Sequence, residues 1–198
     1  IYGGYSTAWR QYVDENVLSR LELPSGESLV RIVDPYSYRD VLTMPKLLVS
    51  STGDRFFLPD ASRFFMPDLP GVNYLHSSPN ADYSALKTLE LDEDAQEALG
   101  AFYIAQVNGA TMPSMDASYN ATTRRITVTP SEEPLSVEFW WANSPRYRDF
   151  RQQTLGDKWS KVDLPALPGG IYQATIGNQA GYNAGFVKVK FSGPLSDV

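Results

Sequence analysis

Asp54 closes the stretch "PKLLVSSTGD", just beyond an apolar run that reads as a strand. In open α/β sheets, ligands gather at the carboxyl ends of strands. A carboxylate there suits the acid of a hydrolase triad, which orients a histidine and stabilises its cation. The same residue suits a turn aspartate bonded to its own backbone, and both readings stand open. A second strand-like run, "GVNYLHSS", leads into "PNADYS", where a catalytic base would be delivered, yet Tyr83 occupies that place. A phenol with a reference pKa of about 10 is a poor base near neutrality. Asp82 beside it could accept a proton, but its acidity and shorter reach make it a weak substitute for a histidine. His76 is the single histidine and lies inside the strand, so it reads as a packed residue. The nearest approach to a nucleophile elbow is "GYSTA", Gly4 to Ala8. No strand precedes it, and Ser6 reads as a helix cap. No phosphate loop, dinucleotide fingerprint or zinc-binding helix occurs. "LDEDAQE" is a helix start without the glycine and spacing of a calcium loop. No cofactor and no metal is therefore expected.

The elements that position these residues follow from periodicity. Tyr5, Ala8, Trp9, Tyr12, Val13, Val17 and Leu21 recur at helical spacing and predict one amphipathic helix. "ELPSGES" predicts a break, and "VDPYSYRDVL" a short helix before Met44. "PKLLVSS" and "GVNYLHSS" read as parallel strands covered by helices on both faces. "PDASRFFMPDL" between them reads as a helix with Asp60 as its cap. "LDEDAQEALGAFYIAQVNG" predicts the longest helix. Asp92, Glu93 and Asp94 sit at its N-terminus, Ala95, Leu99, Phe102 and Tyr103 form its buried stripe, and Gly109 stops it.

Beyond Ala110 the character changes. "TMPSMDASYN" reads as a loop, then "RRITVT", "LSVEFWWA", "IYQATI" and "GFVKVKF" alternate with period two. Leu135, Val137, Phe139 and Trp141 share one face of a strand, and Trp140 and Trp159 read as core. Arg148, Asp149 and Arg151 suit ion pairs that pin a crossover. The expected organisation is an α/β part over residues 1–110 and an antiparallel β-sandwich over 111–198.

The 198 residues carry a net charge of -6, which argues against a nucleic-acid partner needing a basic face. No apolar run is long enough to span a bilayer. The absence of cysteine removes disulfides and a thiol nucleophile. One sequon, Asn120-Ala121-Thr122, marks Asn120 for glycosylation. The sequence starts at Ile1 with neither Met nor signal peptide, so a cleaved product or a fragment with a partner segment is expected.

Taken in order, these stretches resemble the PhoPQ-activated pathogenicity-related proteins, which include the autocrine proliferation repressor proteins. "IVDPYSYRDVLTMPKLLVSSTGDRFFLPDASRFF" resembles the family's segment around V-D-P, P-K-L and T-G-D-E-F-F-x-P-D. "LPGVNYLHSSPNADYS" resembles L-x-G-x-x-x-L-x-x-x-P-N-x-x-H, and "WWANSPRYRDFR", "GDKW" and "GYNAGFVKVKF" resemble its later pieces. The resemblance implies the C-terminal half of an α/β-hydrolase-like three-layer domain, followed by a β-sandwich. It places Asp54 at the acid position and Tyr83 at the histidine position, with the nucleophile serine in an upstream segment. With the sequon it implies a secreted protein completed by an N-terminal half or partner chain. Tyr83, the missing elbow and the acidic surface make a catalytically impaired protein acting by binding, as a signalling or structural component, the expected reading. The other reading is a serine hydrolase or peptidase whose nucleophile lies on that segment.

Overall fold

The computed structural model describes residue 5, residues 7–83 and residues 93–193. The expected caps and helix starts at Ser6 and Asp92, and Gly4 of "GYSTA", lie outside these residues.

The single helix predicted from Tyr5 to Leu21 is instead three short pieces. A 3-10 turn at Thr7–Trp9 leads into α1 (Arg10–Asp14), and α2 (Val17–Arg20) follows. Asn16 between them has φ 53, a left-handed conformation that asparagine tolerates. The Arg20 guanidinium holds this corner by donating to the Asn16 carbonyl at 2.9 Å and the Glu15 carbonyl at 2.6 Å. "PSGES" does not break the chain but begins α3 (Pro24–Val33). Proline at the first helical position forfeits no hydrogen bond. Gly26 lets α3 start against the end of α2, because a Cβ there would meet the Arg20 carbonyl oxygen at 1.9 Å. The short helix expected after Asp34 is a 3-10 segment, Pro35–Val41, capped by the Asp34 carboxylate.

β1 (Lys46–Ser51) and β2 (Asn73–Ser78) are parallel, as their sequence predicts, and pair from Lys46–Asn73 to Ser51–Ser78. The Lys46 ammonium ties the starts of both strands by donating to the carbonyls of Leu42, Met44 and Pro70. α4 (Glu93–Asn108) covers one face, with Ala95 and Ala105 fully buried and Phe102 against Tyr74. Gly109 at φ 64 ends it, as expected. The buried stripe differs from expectation, since Leu99 is 47% and Tyr103 67% exposed. The described sheet is two strands wide, so α4 rests on it only through the Ala95, Phe102 and Ala105 side. Nor are both sheet faces covered: Leu75, on the face away from α4, is exposed.

The helix expected at "PDASRFFMPDL" is two 3-10 turns, Ala61–Phe64 and Met66–Asp68. Pro67 lacks the N–H that a continuous helix would need there. Asp60 makes no cap hydrogen bond; its carboxylate pairs with Arg63 and Arg148.

Two three-stranded antiparallel sheets follow. One has the order β3 (Met115–Asn120), β4 (Arg125–Pro130), β7 (Tyr172–Thr175). The other has β6 (Ser160–Asp163), β5 (Ser136–Ser144), β8 (Tyr182–Lys190). The loop expected at "MDASYN" is β3, a strand formed by hairpin pairing with β4 and exposed along its whole length. Leu135 precedes β5 and is exposed, while Val137 and Phe139 are buried. Ala142, on the opposite face of β5, joins Phe150 and Trp159 in a cluster with Trp140, Leu155, Ala184 and Phe186. Both tryptophans are thus in packed positions. The short helix α5 (Gln152–Leu155) lies beside this cluster. Lys188 and Lys190 of β8 pair with Asp94 and Glu97 of α4, tying the parallel and antiparallel parts together.

Candidate functional site

The parallel register ends both strands at one level, so the loops after Ser51 and Ser78 leave side by side. The Thr52 amide donates to the Ser78 carbonyl at 3.0 Å and the Gly53 amide to the Ala81 carbonyl at 2.9 Å. Gly53 is needed for this approach, because a Cβ would meet the Ala81 oxygen at 2.8 Å.

Asp54 is 2% exposed. Its Oδ1 accepts from the Phe56 amide at 2.7 Å and the Phe57 amide at 3.0 Å. This is the turn aspartate geometry, and it sits at the strand end where a triad acid would stand. Burial pushes the carboxyl above the ordinary aspartate value, and the nearby Asp82 charge adds to this. The Phe57 and Phe56 amides and Arg55 act the other way without cancelling it. An aspartate with a raised folded-state pKa contributes stability below its unfolded value of about 3.9, and loses it as pH rises through the folded value. Asp54→Asn keeps the oxygen acceptor and removes the desolvated charge. It is expected to be more stable than the parent at pH 7, with the gap closing below about pH 4. Urea unfolding of both proteins across that range checks this, and a pH-independent gap would contradict it.

Tyr83 is held by packing. Its ring is 4.7 Å from that of Phe56, which is 5.9 Å from Trp9, itself 5.3 Å from Tyr12. The Trp9 indole N–H also donates to the Phe56 carbonyl at 3.4 Å. Among the described residues, the Tyr83 hydroxyl makes no hydrogen bond to Asp54. Asp82 instead pairs with Arg55 at 3.3 Å. The arrangement is a row of aromatic rings along two acid-bearing loops. Aromatic faces suit stacking and carboxylates suit accepting hydrogen bonds.

His76 is buried within β2, with Nε2 3.3 Å from the Ser78 hydroxyl, and does not enter the loops. The Arg148, Asp149 and Arg151 pairs expected from sequence are present, joining Asp60 to Arg148 and Asp149 to Arg151. Asn120 is exposed at the end of β3, where its Oδ1 accepts from the Thr123 amide at 2.9 Å. Among the described residues no group of three His, Cys, Asp or Glu is placed to hold a metal ion. No described helix is long and apolar enough to cross a membrane.

The residue that sequence reading missed is Asn80. It adopts φ 55, and its amide grips both the N–H and the C=O of Trp159, far along the chain. The local signal was "SSPN", a turn with asparagine after proline; its long-range partner left no trace in the sequence.

Compared with known proteins, residues 1–151 match the family model described as PhoPQ-activated pathogenicity-related protein. A curated relative, autocrine proliferation repressor protein A from Dictyostelium discoideum, is 30% identical over 210 residues. That alignment covers 96% of this chain and 42% of the relative, so the chain spans less than half of the relative's length. No solved structure matches the chain.

Proposed function

The chain belongs to the PhoPQ-activated pathogenicity-related family, and from that premise we propose that it is the C-terminal part of a secreted α/β-hydrolase-like protein that acts by binding, as a signalling or structural component, rather than by turnover. Residues 1–110 form the second half of the hydrolase-like domain, and residues 111–198 a β-sandwich made of the two antiparallel sheets. Asp54 keeps the acid position and Tyr83 replaces the base. The observation that carries this reading is the Tyr83 ring, packed into the aromatic row at 4.7 Å from Phe56.

An N-terminal half, either upstream in the same protein or a cleaved partner chain, completes the sheet on the uncovered side of β1 and β2. The exposed Leu75 on that sheet, and Leu29, Ile32 and Val33 on α3, support this. So does the length of the relative beyond the aligned region. The relative's name describes an autocrine repressor, and an autocrine role needs release from the cell. Asn120, exposed on a hairpin, is the glycosylation site of such a released protein.

The test is a serine-directed fluorophosphonate probe and an ester substrate applied to the full-length protein. No labelling and no turnover are expected. Tyr83→His is expected to raise ester hydrolysis about 100-fold by returning a general base. Labelling of the parent protein at a serine would replace the binding reading with an active hydrolase. A silent Tyr83→His variant would show that Tyr83 does not stand at a lost base position.

A further inference from the structure

One asparagine joins three separate segments at the candidate site. The Asn80 backbone amide donates to the Thr52 hydroxyl at 3.0 Å, on the acid loop. Its side-chain Oδ1 accepts from the Trp159 amide at 2.9 Å, and its Nδ2 donates to the Trp159 carbonyl at 3.0 Å. This is a two-way amide pair, like one rung of a strand ladder. A parallel tie runs beside it, from the Gln152 amide to the Gly53 carbonyl at 3.0 Å.

Both anchors are held by further contacts. Trp159 is buried, with its ring 5.8 Å from Phe150 and 5.5 Å from Phe186. The segment carrying Gln152 is braced by Asp149, which accepts from the Arg151 side chain and from the Thr154 hydroxyl. The loop bearing Asp82 and Tyr83 is therefore held from the antiparallel part of the molecule as well as by its own strand.

We infer that Asn80 is a positioning residue that fixes the Tyr83 loop against the Asp54 loop by clamping it to Trp159. The inference rests on the reading that these two loops form the binding site. Asparagine alone meets every requirement. Glycine accepts φ 55 but has no amide. Aspartate accepts φ 55 and can bond the Trp159 N–H, but sets an oxygen against its carbonyl. Glutamine carries an extra methylene and tolerates the left-handed region less well.

The test uses the full-length protein with 3-fluorotyrosine at position 83, as parent, Asn80→Gly and Asn80→Asp. Fluorine NMR reads the ring environment, and hydrogen exchange reads the loop amides. In both variants the fluorine signal is expected to move toward that of free fluorotyrosine. The Thr52 and Gly53 amides should exchange roughly tenfold faster, while those of β4 and β5 hold their rates. An unchanged fluorine signal with unchanged loop exchange in either folded variant would overturn the inference. So would acceleration spread equally over β4 and β5, which marks a general loss of stability. Neither readout involves a ligand or turnover, so a failure of the proposed function would appear in the probe assay and not here.

Discussion

Asp149→Ala is expected to destabilise the protein by about 1–3 kcal/mol, the cost of leaving buried hydrogen-bond donors without their acceptor. Asp149 and Arg151 are 8% and 17% exposed at their side chains. The carboxylate accepts from Arg151 Nε at 2.8 Å, from Arg151 Nη2 at 2.5 Å, from the Arg151 amide at 3.1 Å and from the Thr154 hydroxyl at 2.9 Å. Alanine takes this carboxylate away from Arg151 and leaves the Arg151 amide and the Thr154 hydroxyl without this acceptor. Burial pushes the Asp149 carboxyl up, but the bonds from Arg151 and Thr154 outweigh it and hold the carboxyl below its ordinary value. Its stabilising contribution is therefore present above the unfolded value of about 3.9 and is lost as pH falls through the folded value. Thermal unfolding at pH 7 and in acid measures both effects. The deficit of the variant should be large at pH 7 and shrink in acid. A deficit under about 1 kcal/mol at pH 7 would mean that the pair is a surface-type bridge with little net effect.

Residues 1–198 expressed alone are expected to lack a single cooperative transition, whereas the full-length protein has one. Ile32, Val41 and Phe64 are 70%, 71% and 63% exposed, large apolar side chains left in water. They lie on α3 and the connections around β1, the region that the proposed N-terminal half would cover. A two-stranded sheet is marginal without further strands or a second covering layer. The expected loss is on the scale of a whole domain's stability, about 5–15 kcal/mol. Differential scanning calorimetry and binding of a hydrophobic dye compare the two forms. A stable, cooperatively unfolding monomer of residues 1–198 would sink the proposed N-terminal partner.

Elements with a strong local signal were legible in the sequence. β1, β2 and α4 follow from apolar runs, an acidic helix start and a glycine stop, all carried by neighbouring residues. β4, β5, β7 and β8 follow from alternation. The first helices were misread because their apolar spacing is helical while Asn16 takes a left-handed corner that the side chain of Arg20, at the end of α2, stabilises. β3 was misread because its strand character comes from the hairpin partner and not from its own exposed, polar residues. The stripe on α4 was misread because periodicity says which residues share a face but not what that face meets.

At the site, the sequence by itself determined that an aspartate and a tyrosine follow two parallel strands, because residue types and strand ends are local properties. It could not decide whether Asp54 is only a turn residue, how Tyr83 is held, or what fixes their loops. Tertiary structure decided those points. The burial of Asp54, the packing of Tyr83 on Phe56, and the grip of Asn80 on Trp159 all depend on segments distant in the chain. Their energies come from water exclusion and hydrogen-bond direction, which exist only once those segments are brought together.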